Sequence, residues 1–349
     1  MSTAERTGPA GGPVEDPGTA AAVPLTPAWW TRPVPLARVA VFRVIAYLFI
    51  PVDVFLTTAW VRAHADVPTD WYAPLLVGRL LHLPTPTHTV VLVVQWALVA
   101  AAVATATGRA PRLLGVAVFL LYAEWMVIAM SYGKVDHDRI AFLVALAVLP
   151  TIGRTRFRDR RSSEAAGWAM AAVFVTVMLT YFLAAWAKMR FGGWDWATGS
   201  TLTRAVVRRG TDLSLWTLDV AWLLQTAQWV MLVFEFAAPL MLLVHSDRAR
   251  TRLVLFLLGF HVMVYAGVGI VFLPHCIAIL SILPWERLRG ARLSGSPAVL
   301  PHVAAPQARG AGVHPRPLHH GNGITAARSS RRSARPCPPR AAGRHRPRR

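Results

Sequence analysis

The stretch "ARVAVFRVIAYLFIPVDVFLTT", residues 37–58, is apolar over a length sufficient to cross a lipid bilayer. A transmembrane helix needs about 20 mostly apolar residues. Six further candidates follow, at residues 88–107, 111–132, 139–153, 166–188, 220–245 and 251–273. The fourth span is short, and residues 274–285 form an eighth candidate that is either a short span or a re-entrant segment. The sequence therefore predicts an all-α polytopic membrane helix bundle with seven or eight spans.

The composition agrees with a membrane protein, and it divides the chain into three parts. The 349 residues are 54% hydrophobic and only 15% charged, which is too apolar for an ordinary soluble protein. The predicted membrane domain covers residues 37–290, between a disordered N-terminal segment, 1–36, and a disordered Arg/Pro-rich tail, 291–349. Much of the net charge of +20 belongs to the tail, because 14 arginines and one acidic residue lie from Glu286 onward. Such a composition cannot bury a core.

The charge and cysteine content restrict the partners of the protein. A basic tail suits contact with anionic membrane lipid. The chain has no nucleic-acid recognition motif, so no nucleic-acid partner is predicted. The two cysteines, Cys276 and Cys337, form neither a disulfide framework nor a metal-ligand pattern, so no metal site is predicted.

The arginine-rich loops predict the orientation of the spans. The loops "RTRFRDRR" (154–161) and "SDRARTR" (246–252) lie on the same side if the spans between them are real. Short cytoplasmic loops carry an excess of Lys and Arg, so this side is predicted to be cytoplasmic. The longer loop 189–219 also contains arginines although it would lie on the outer side, but long loops count less in this rule. The protein is expected in the cell membrane, with a cytoplasmic N-terminus and with Lys188 and His137 facing outward.

Three acidic residues within the spans are candidates for a supporting role, because ionisable groups in a membrane are costly. Asp53 follows Pro51, which lacks a backbone N–H and can kink the helix. Asp53 is therefore expected either to serve a site or to partner Arg43 or a freed backbone group. Glu124 and Glu235 either take part in a site or neutralise a buried cation.

Two histidines are candidates for site residues. His261 lies near the middle of the seventh span, where its ring can donate and accept a hydrogen bond at once. It either serves a site or bonds a neighbouring helix. His137 stands between Asp136 and Asp138, whose carboxylates would favour its protonated form. Either aspartate also suits the N-cap of the fourth span.

Lys188 is the strongest candidate for a catalytic group. The chain contains only two lysines, Lys134 and Lys188, among 37 lysines and arginines. A cation at the end of a span can extend to the lipid headgroups, and arginine does this equally well. Lysine, unlike arginine, can lose its proton when desolvated. A lysine here therefore suits a general base or a nucleophile.

Other polar and aromatic side chains have structural interpretations. Gln225 and Gln228 are three residues apart on one face of the sixth span and are expected to form interhelical hydrogen bonds. Four aromatic residues are interpreted as an outer interfacial belt: Tyr181, Trp186, Trp194 and Trp196.

Four motifs together resemble one known family. They are "YFLAAWAKMRFGGWDWATGSTL" (181–202), "VDHDRIAFLVALAVL" (135–149), "FEFAAPLMLL" (234–243) and "GFHVMVYAGVGIVFLPHCIAILSILPW" (259–285). Their types and order are similar to those of the HTTM (horizontally transferred transmembrane) domain family, which includes relatives of the vitamin K-dependent gamma-carboxylases. The resemblance covers roughly residues 35–290. The chain departs from the family in reading Asp-His-Asp where the carboxylases have Asn-His-Ser. It also departs in passing into the tail where animal carboxylases have a β-rich domain.

The resemblance implies a helical membrane domain with a site on its outer face. In the carboxylases a lysine at the Lys188 position deprotonates vitamin K hydroquinone. Reaction with oxygen then gives a stronger base that removes a glutamate γ-proton, so that carbon dioxide can add. Histidines at the His137 and His261 positions support such a site. A quinone or hydroquinone is the implied cofactor, and a peptide or protein at the outer face is the implied substrate.

Two other classes of function are open. A membrane scaffold, or a maturation partner for a secreted peptide, would use the same polar residues only to hold helices together. A transporter is less favoured, because charged residues in the spans are few and no inverted repeat is visible.

Overall fold

A computed structural model describes residues 25–290, and these residues form a helical bundle. The helices are α1 (Pro27–Trp30), α2 (Leu36–Val52), α3 (Leu76–Leu80), α4 (His88–Ala106), α5 (Leu113–Met130), α6 (Ile140–Val148), α7 (Glu164–Thr198), α8 (Thr201–Arg209), α9 (Ala221–Ala237), α10 (Asp247–Val268), α11 (Leu273–Ile279) and α12 (Trp285–Gly290). Two short strands, β1 (Val34–Pro35) and β2 (Ser162–Ser163), pair antiparallel. The all-α prediction is therefore confirmed.

Six helical segments in this part of the chain are long and apolar enough to cross a membrane. They are Leu36–Thr57, His88–Ala106, Leu113–Met130, Glu164–Thr198, Ala221–Leu243 and Asp247–Val268. The predicted fourth span, 139–153, is shorter: α6 has nine residues, with 3-10 turns at His137–Arg139 and Leu149–Ile152. The eighth candidate contains a short apolar helix, Leu273–Ile282. Six helices of spanning length are present, and a count of seven or eight spans stays a prediction.

The N-terminal boundary of the ordered domain was placed too late. Residues 27–35 were expected to be disordered, but they form α1 and β1. The pairing of Val34 with Ser163 fixes this segment to the start of α7. It packs closely, because a Cβ on Gly167 would lie 1.9 Å from the Arg32 carbonyl oxygen. The tail 291–349 and residues 1–24 lie outside the described residues.

Helix α2 widens at its end into a π-helical turn, Asp53–Thr57. The cause is Pro51, which cannot donate the backbone bond that an α-helix needs at that position. The Asp53 carbonyl oxygen accepts from both the backbone N–H and the hydroxyl of Thr58, each at 2.8 Å. Single π turns are frequent at functional sites. Here the turn carries the fully buried side chain of Asp53.

The main core lies where α2, α5, α6 and α7 meet. Its largest fully buried side chains include Trp125, Tyr47, Tyr122, Phe42 and Phe142. Other apolar side chains on the long helices stay exposed, as lipid-facing residues of a membrane bundle would be.

Arg43 stabilises the end of the short fourth segment. Its guanidinium donates to the carbonyl oxygens of Leu149 at 3.1 Å and Gly153 at 2.7 Å. Carbonyls at a helix C-terminus lack partners within the helix, and a cation there is favourable. Arg43 therefore bonds backbone and not Asp53.

Candidate functional site

Lys188 and Glu235 form an ion pair between α7 and α9. The Lys188 ammonium donates to the Glu235 carboxylate, and their side chains are 22% and 7% exposed. A pair so poorly exposed is costly to form, because both charges leave water. Glu235 was expected either to take part in a site or to neutralise a buried cation. The structure shows that it neutralises a cation, and this cation is Lys188, the candidate base.

A break in α7 brings an aromatic ring over the same ammonium. Gly193 interrupts the helix with φ 58° and ψ −156°, and the chain then returns so that the Trp196 ring lies 5.1 Å from the Lys188 nitrogen. A cation over an indole face is stabilised electrostatically. Trp196, which was interpreted as part of an interfacial belt, therefore contacts the candidate site.

Gln228 and Gln225 hold this returning segment against α9. The Gln228 amide nitrogen donates to the carbonyl oxygens of Ala197 at 2.9 Å and Gly199 at 3.1 Å, and its oxygen accepts from the Leu202 N–H at 2.7 Å. Gln225 donates to Ala197 as well. The prediction of interhelical hydrogen bonds for the two glutamines is confirmed.

Substitution of Gly193 by alanine should loosen this arrangement. The backbone of Gly193 lies where essentially only glycine is stable, so a Cβ costs about 1–3 kcal/mol of folding free energy. An added Cβ would meet no atom within 4 Å, so the cost comes from the backbone alone. Faster hydrogen exchange around residues 194–202 is the expected measurement.

Gly259→Ala provides the matched control for that prediction. A Cβ on Gly259 also meets nothing within 4 Å, but this glycine lies within regular helix α10. Alanine has the better helix propensity, so this variant should be neutral or slightly stabilised. Equal exchange in the two variants would contradict the strain assigned to Gly193.

His261 belongs to a buried cluster with Tyr181 and His275. The Tyr181 hydroxyl lies 2.7 Å from His261 Nε2, and the two histidine ring centroids are 5.4 Å apart. Within the described residues, Nδ1 of His261 and both ring nitrogens of His275 are buried without a hydrogen-bond partner. Unsatisfied buried polar groups are expensive, so these three ring nitrogens require a structural or functional explanation. The interpretation of Tyr181 as a belt residue was wrong, because it is only 4% exposed.

The two polar groups on α7 face the same side of that helix. Tyr181 and Lys188 are seven residues apart, which is about two helical turns. The Tyr181 ring packs against that of Phe234, the residue before Glu235, with centroids 5.4 Å apart. We call Lys188, Glu235, Tyr181, His261 and His275 the polar cluster.

His137 lies at the exposed side of the polar cluster. It stands on the 3-10 turn His137–Arg139, which packs against α11, the helix that carries His275. The predicted capping role of the adjacent aspartates was wrong: Asp136, at the N-cap position, makes no side-chain capping bond and pairs with Lys134 at 2.7 Å. Burial raises the pKa of the Asp138 carboxyl above its ordinary value. Lys188 and Tyr181 of α7 therefore contact Glu235 and His261 respectively, while His137 lies on the turn beside α11.

Asp53 lies in a second polar group. Its ion partner is Arg139, so the prediction of Arg43 as its partner was wrong. Both Asp53 oxygens accept from the Arg139 guanidinium, at 2.7 and 2.8 Å, and the Tyr122 hydroxyl donates to one of them at 2.9 Å. All three side chains are buried. Because Arg139 ends the 3-10 turn that begins with His137, this ion pair anchors the turn to α2.

Glu124 does not neutralise a cation in the described part of the chain. Both of its carboxylate oxygens are buried there without a hydrogen-bond partner. It is close enough to interact electrostatically with Tyr72, away from the polar cluster. The structure therefore gives no support for Glu124 as a member of the Lys188 site.

An apolar groove of about 610 Å³ lies between α7 and α9, the two helices that the ion pair joins. It is lined by Met189, Trp194, Trp229, Leu232, Val233, Phe236 and Ala237. Two of these residues directly follow Lys188 and Glu235 in the chain. An aromatic groove beside a few polar groups is typical of a site for an apolar small molecule.

Sequence reasoning missed two members of the polar cluster and the partner of Asp53. Two of these residues could have been found from the sequence. His275 lies within an apolar segment and Arg139 at the mouth of a span, and an ionisable residue is costly in either environment. Tyr181 offered no such signal, because a tyrosine near a span end is ordinary. Within the described residues, no group of three or more metal-ligating side chains could hold a metal ion.

Six spanning-length helices around buried polar groups define the class: a polytopic helical membrane protein. Comparisons with protein-family models, with curated proteins and with solved structures each give no match for this chain.

Proposed function

We propose that this protein is an enzyme of the cell membrane that takes a proton from a lipid-soluble hydroxyl compound of the quinol class, with Lys188 as the base. The observation that carries the proposal is the poorly exposed Lys188–Glu235 pair beside an aromatic groove. The resemblance to HTTM proteins and gamma-carboxylases motivates the choice of quinol, and membership of that family is part of the proposal. The N-terminus is placed in the cytoplasm, and the site at the outer face.

The groove suits the apolar part of such a substrate. A quinol carries a hydrocarbon tail that dissolves in the bilayer, and the groove presents the indoles of Trp194 and Trp229 and the ring of Phe236. Aromatic rings stack well on one another in offset or edge-to-face geometry. The quinol hydroxyl would then lie toward Lys188.

The ion pair can supply a neutral amine without an external proton acceptor, because Glu235 takes the proton that Lys188 releases. The Lys188 ammonium passes one proton to the Glu235 carboxylate, which leaves an amine and a carboxylic acid. The amine takes the hydroxyl proton of the quinol, and an ammonium and a quinolate result. Net charge is conserved in both steps, and the ammonium remains beside the new anion to stabilise it.

The other members of the polar cluster hold the proton pathway in place. Tyr181 and His261 bond each other, and His275 packs against both rings. His137, on the exposed side, is available to exchange protons with water. A peptide or protein substrate would approach from that side.

The test measures quinol oxidation in lipid nanodiscs. Molecular oxygen takes two electrons and a proton from the quinolate, giving quinone and a hydroperoxide anion, and the anion recovers the proton held by Glu235 to form hydrogen peroxide. Quinone absorbance and peroxide should both rise faster with protein than in empty nanodiscs. Quinone should also quench the fluorescence of Trp194 and Trp229. Absence of both effects would refute the proposal.

A membrane scaffold or maturation partner is the second candidate function. The buried Asp53–Arg139 pair favours it, because that pair joins helices without lying in the groove. On this alternative Lys188 and Glu235 also serve only to hold α7 against α9.

A further inference from the structure

A second cavity lies at the end of the bundle where α2, α7 and α10 begin. Its volume is about 260 Å³. Residues from the starts of those three helices, from β1 and from the segment around residue 281 line it. Because three spanning-length helices start here, this end lies at a membrane surface.

Two of the four arginines that line this cavity are neutralised. Arg38 makes a bidentate contact with Glu286, at 2.6 and 3.1 Å. Arg287 pairs with Asp247 at 2.8 Å. These pairs use both carboxylates of the cavity wall.

The other two arginines, Arg250 and Arg32, form no ion pair with any carboxylate of residues 25–287. The Nε–H of Arg250 donates to the Val244 carbonyl oxygen at 3.2 Å, and its guanidinium carbon lies 5.8 Å from the Phe174 ring centroid. Arg38 and Arg32 repel Arg250, and Asp247, which already pairs with Arg287, attracts it. An excess of positive charge gathered in a partly buried place is costly unless an anion balances it.

A buried hydroxyl also faces this cavity without a partner. Ser281 is 3% exposed, and its oxygen makes no hydrogen bond within the described residues. The first turns of α7 and α10 contribute Gly167 and Asp247 to the wall. The N-termini of long helices carry partial positive charge and bind anions.

We propose that this cavity is a binding site for a phosphate group, held by Arg250, Arg32 and Ser281. Arginine suits phosphate because its planar fork donates two parallel hydrogen bonds. The phosphate belongs either to an anionic lipid headgroup, since the cavity is at the membrane surface, or to a free phosphate ion. The site is independent of the polar cluster and of the proposed quinol chemistry.

Thermal unfolding of the full chain in mild detergent provides the test. Inorganic phosphate, dioctanoyl phosphatidic acid and dioctanoyl phosphatidylcholine are titrated separately. A ligand at free concentration L that binds only the folded state stabilises it by RT ln(1 + L/Kd), so the rise of the melting temperature with ligand concentration gives an apparent Kd. Phosphate and phosphatidic acid with equal apparent Kd would assign the site to a free anion. Binding at least tenfold tighter for phosphatidic acid would assign it to a headgroup.

Three variants distinguish the site from general attraction to a basic surface. Arg250→Gln should weaken binding at least tenfold, and Ser281→Ala, which keeps every charge, about threefold. Arg248→Gln removes an exposed arginine from the same first turn of α10 but outside the cavity, so its affinity should equal that of the wild type. The proposal is overturned if neither phosphate compound shifts the melting temperature, or if the Arg250 and Arg248 variants behave alike. If Arg250→Gln fails to fold, Ser281→Ala provides the test: weaker phosphate binding supports the site, and wild-type binding overturns it.

Discussion

Lys188→Arg is expected to slow quinol oxidation by at least about 100-fold, because general base catalysis typically contributes a factor of 10²–10⁴. Arginine keeps the positive charge and can still pair with Glu235, so the bundle should remain folded. It cannot lose its proton in a protein, so the base is removed. The assay is the nanodisc oxidation described above, at saturating oxygen, with size-exclusion chromatography to verify folding.

The other lysine of the chain offers the matched control. Lys134 is exposed and pairs with Asp136 at 2.7 Å, outside the spanning helices. Lys134→Arg is therefore expected to keep the wild-type rate. If Lys188→Arg retains that rate as well, Lys188 is not the base, and the result favours the scaffold function.

Glu235→Gln examines the other half of the ion pair. Glutamine has nearly the same shape but cannot take a proton from Lys188, so the oxidation rate should fall by a similar factor. A purely structural pair would respond differently: the charge-conserving Lys188→Arg would then be mild and only Glu235→Gln severe. The two variants together therefore separate proton transfer from helix packing.

The second large effect is expected at Asp53. Asp53→Asn should lower the free energy of unfolding by about 3–5 kcal/mol, because buried Arg139 loses its closest carboxylate and retains Asp136, at the longer distance of 4.0 Å, as an ion partner. Both side chains are buried, at 0% and 7% exposure, so water cannot replace the lost carboxylate. Chemical unfolding in mild detergent, followed by tryptophan fluorescence, measures this change.

A double variant identifies the cause of that loss. Asp53→Asn with Arg139→Gln removes both charges, so it should be more stable than Asp53→Asn alone. Asp70→Asn replaces an exposed aspartate of the 3-10 turn Thr69–Trp71 and should change stability by no more than about 0.5 kcal/mol. A double variant as unstable as the single one would mean that packing, not charge, accounts for the effect.

The Asp53–Arg139 pair also connects stability with the candidate site. Arg139 terminates the turn that carries His137, so its loss of anchorage should displace that histidine from the polar cluster. Compared with Asp53→Asn alone, the double variant is expected to recover part of the lost stability but less of the lost oxidation rate. The ion pair that anchors the turn to α2 is absent from both the single and the double variant.

Much of this fold could be predicted from the sequence, since spanning helices are defined by local composition. A run of about 20 apolar residues must bury its backbone polar groups within itself, so each run indicates a helix by its own content. The same local logic selected Lys188, Glu235 and His261, because an ionisable group in an apolar run is conspicuous wherever the helix packs. The short fourth segment was likewise visible as a short run.

Only the tertiary structure decided which of these groups meet. Arg43 and Arg139 were both available to Asp53, and the π turn after Pro51, with the packing of α2 against the 137–139 turn, selected Arg139. Lys188 and Glu235 are 47 residues apart, and the return of the chain at Gly193 added Trp196 to them. His275 and Tyr181 entered the polar cluster through the contact of α11 with α7 and α10. Periodicity fixes the face of each helix but not its neighbour, because neighbours are selected by packing between residues distant in the chain.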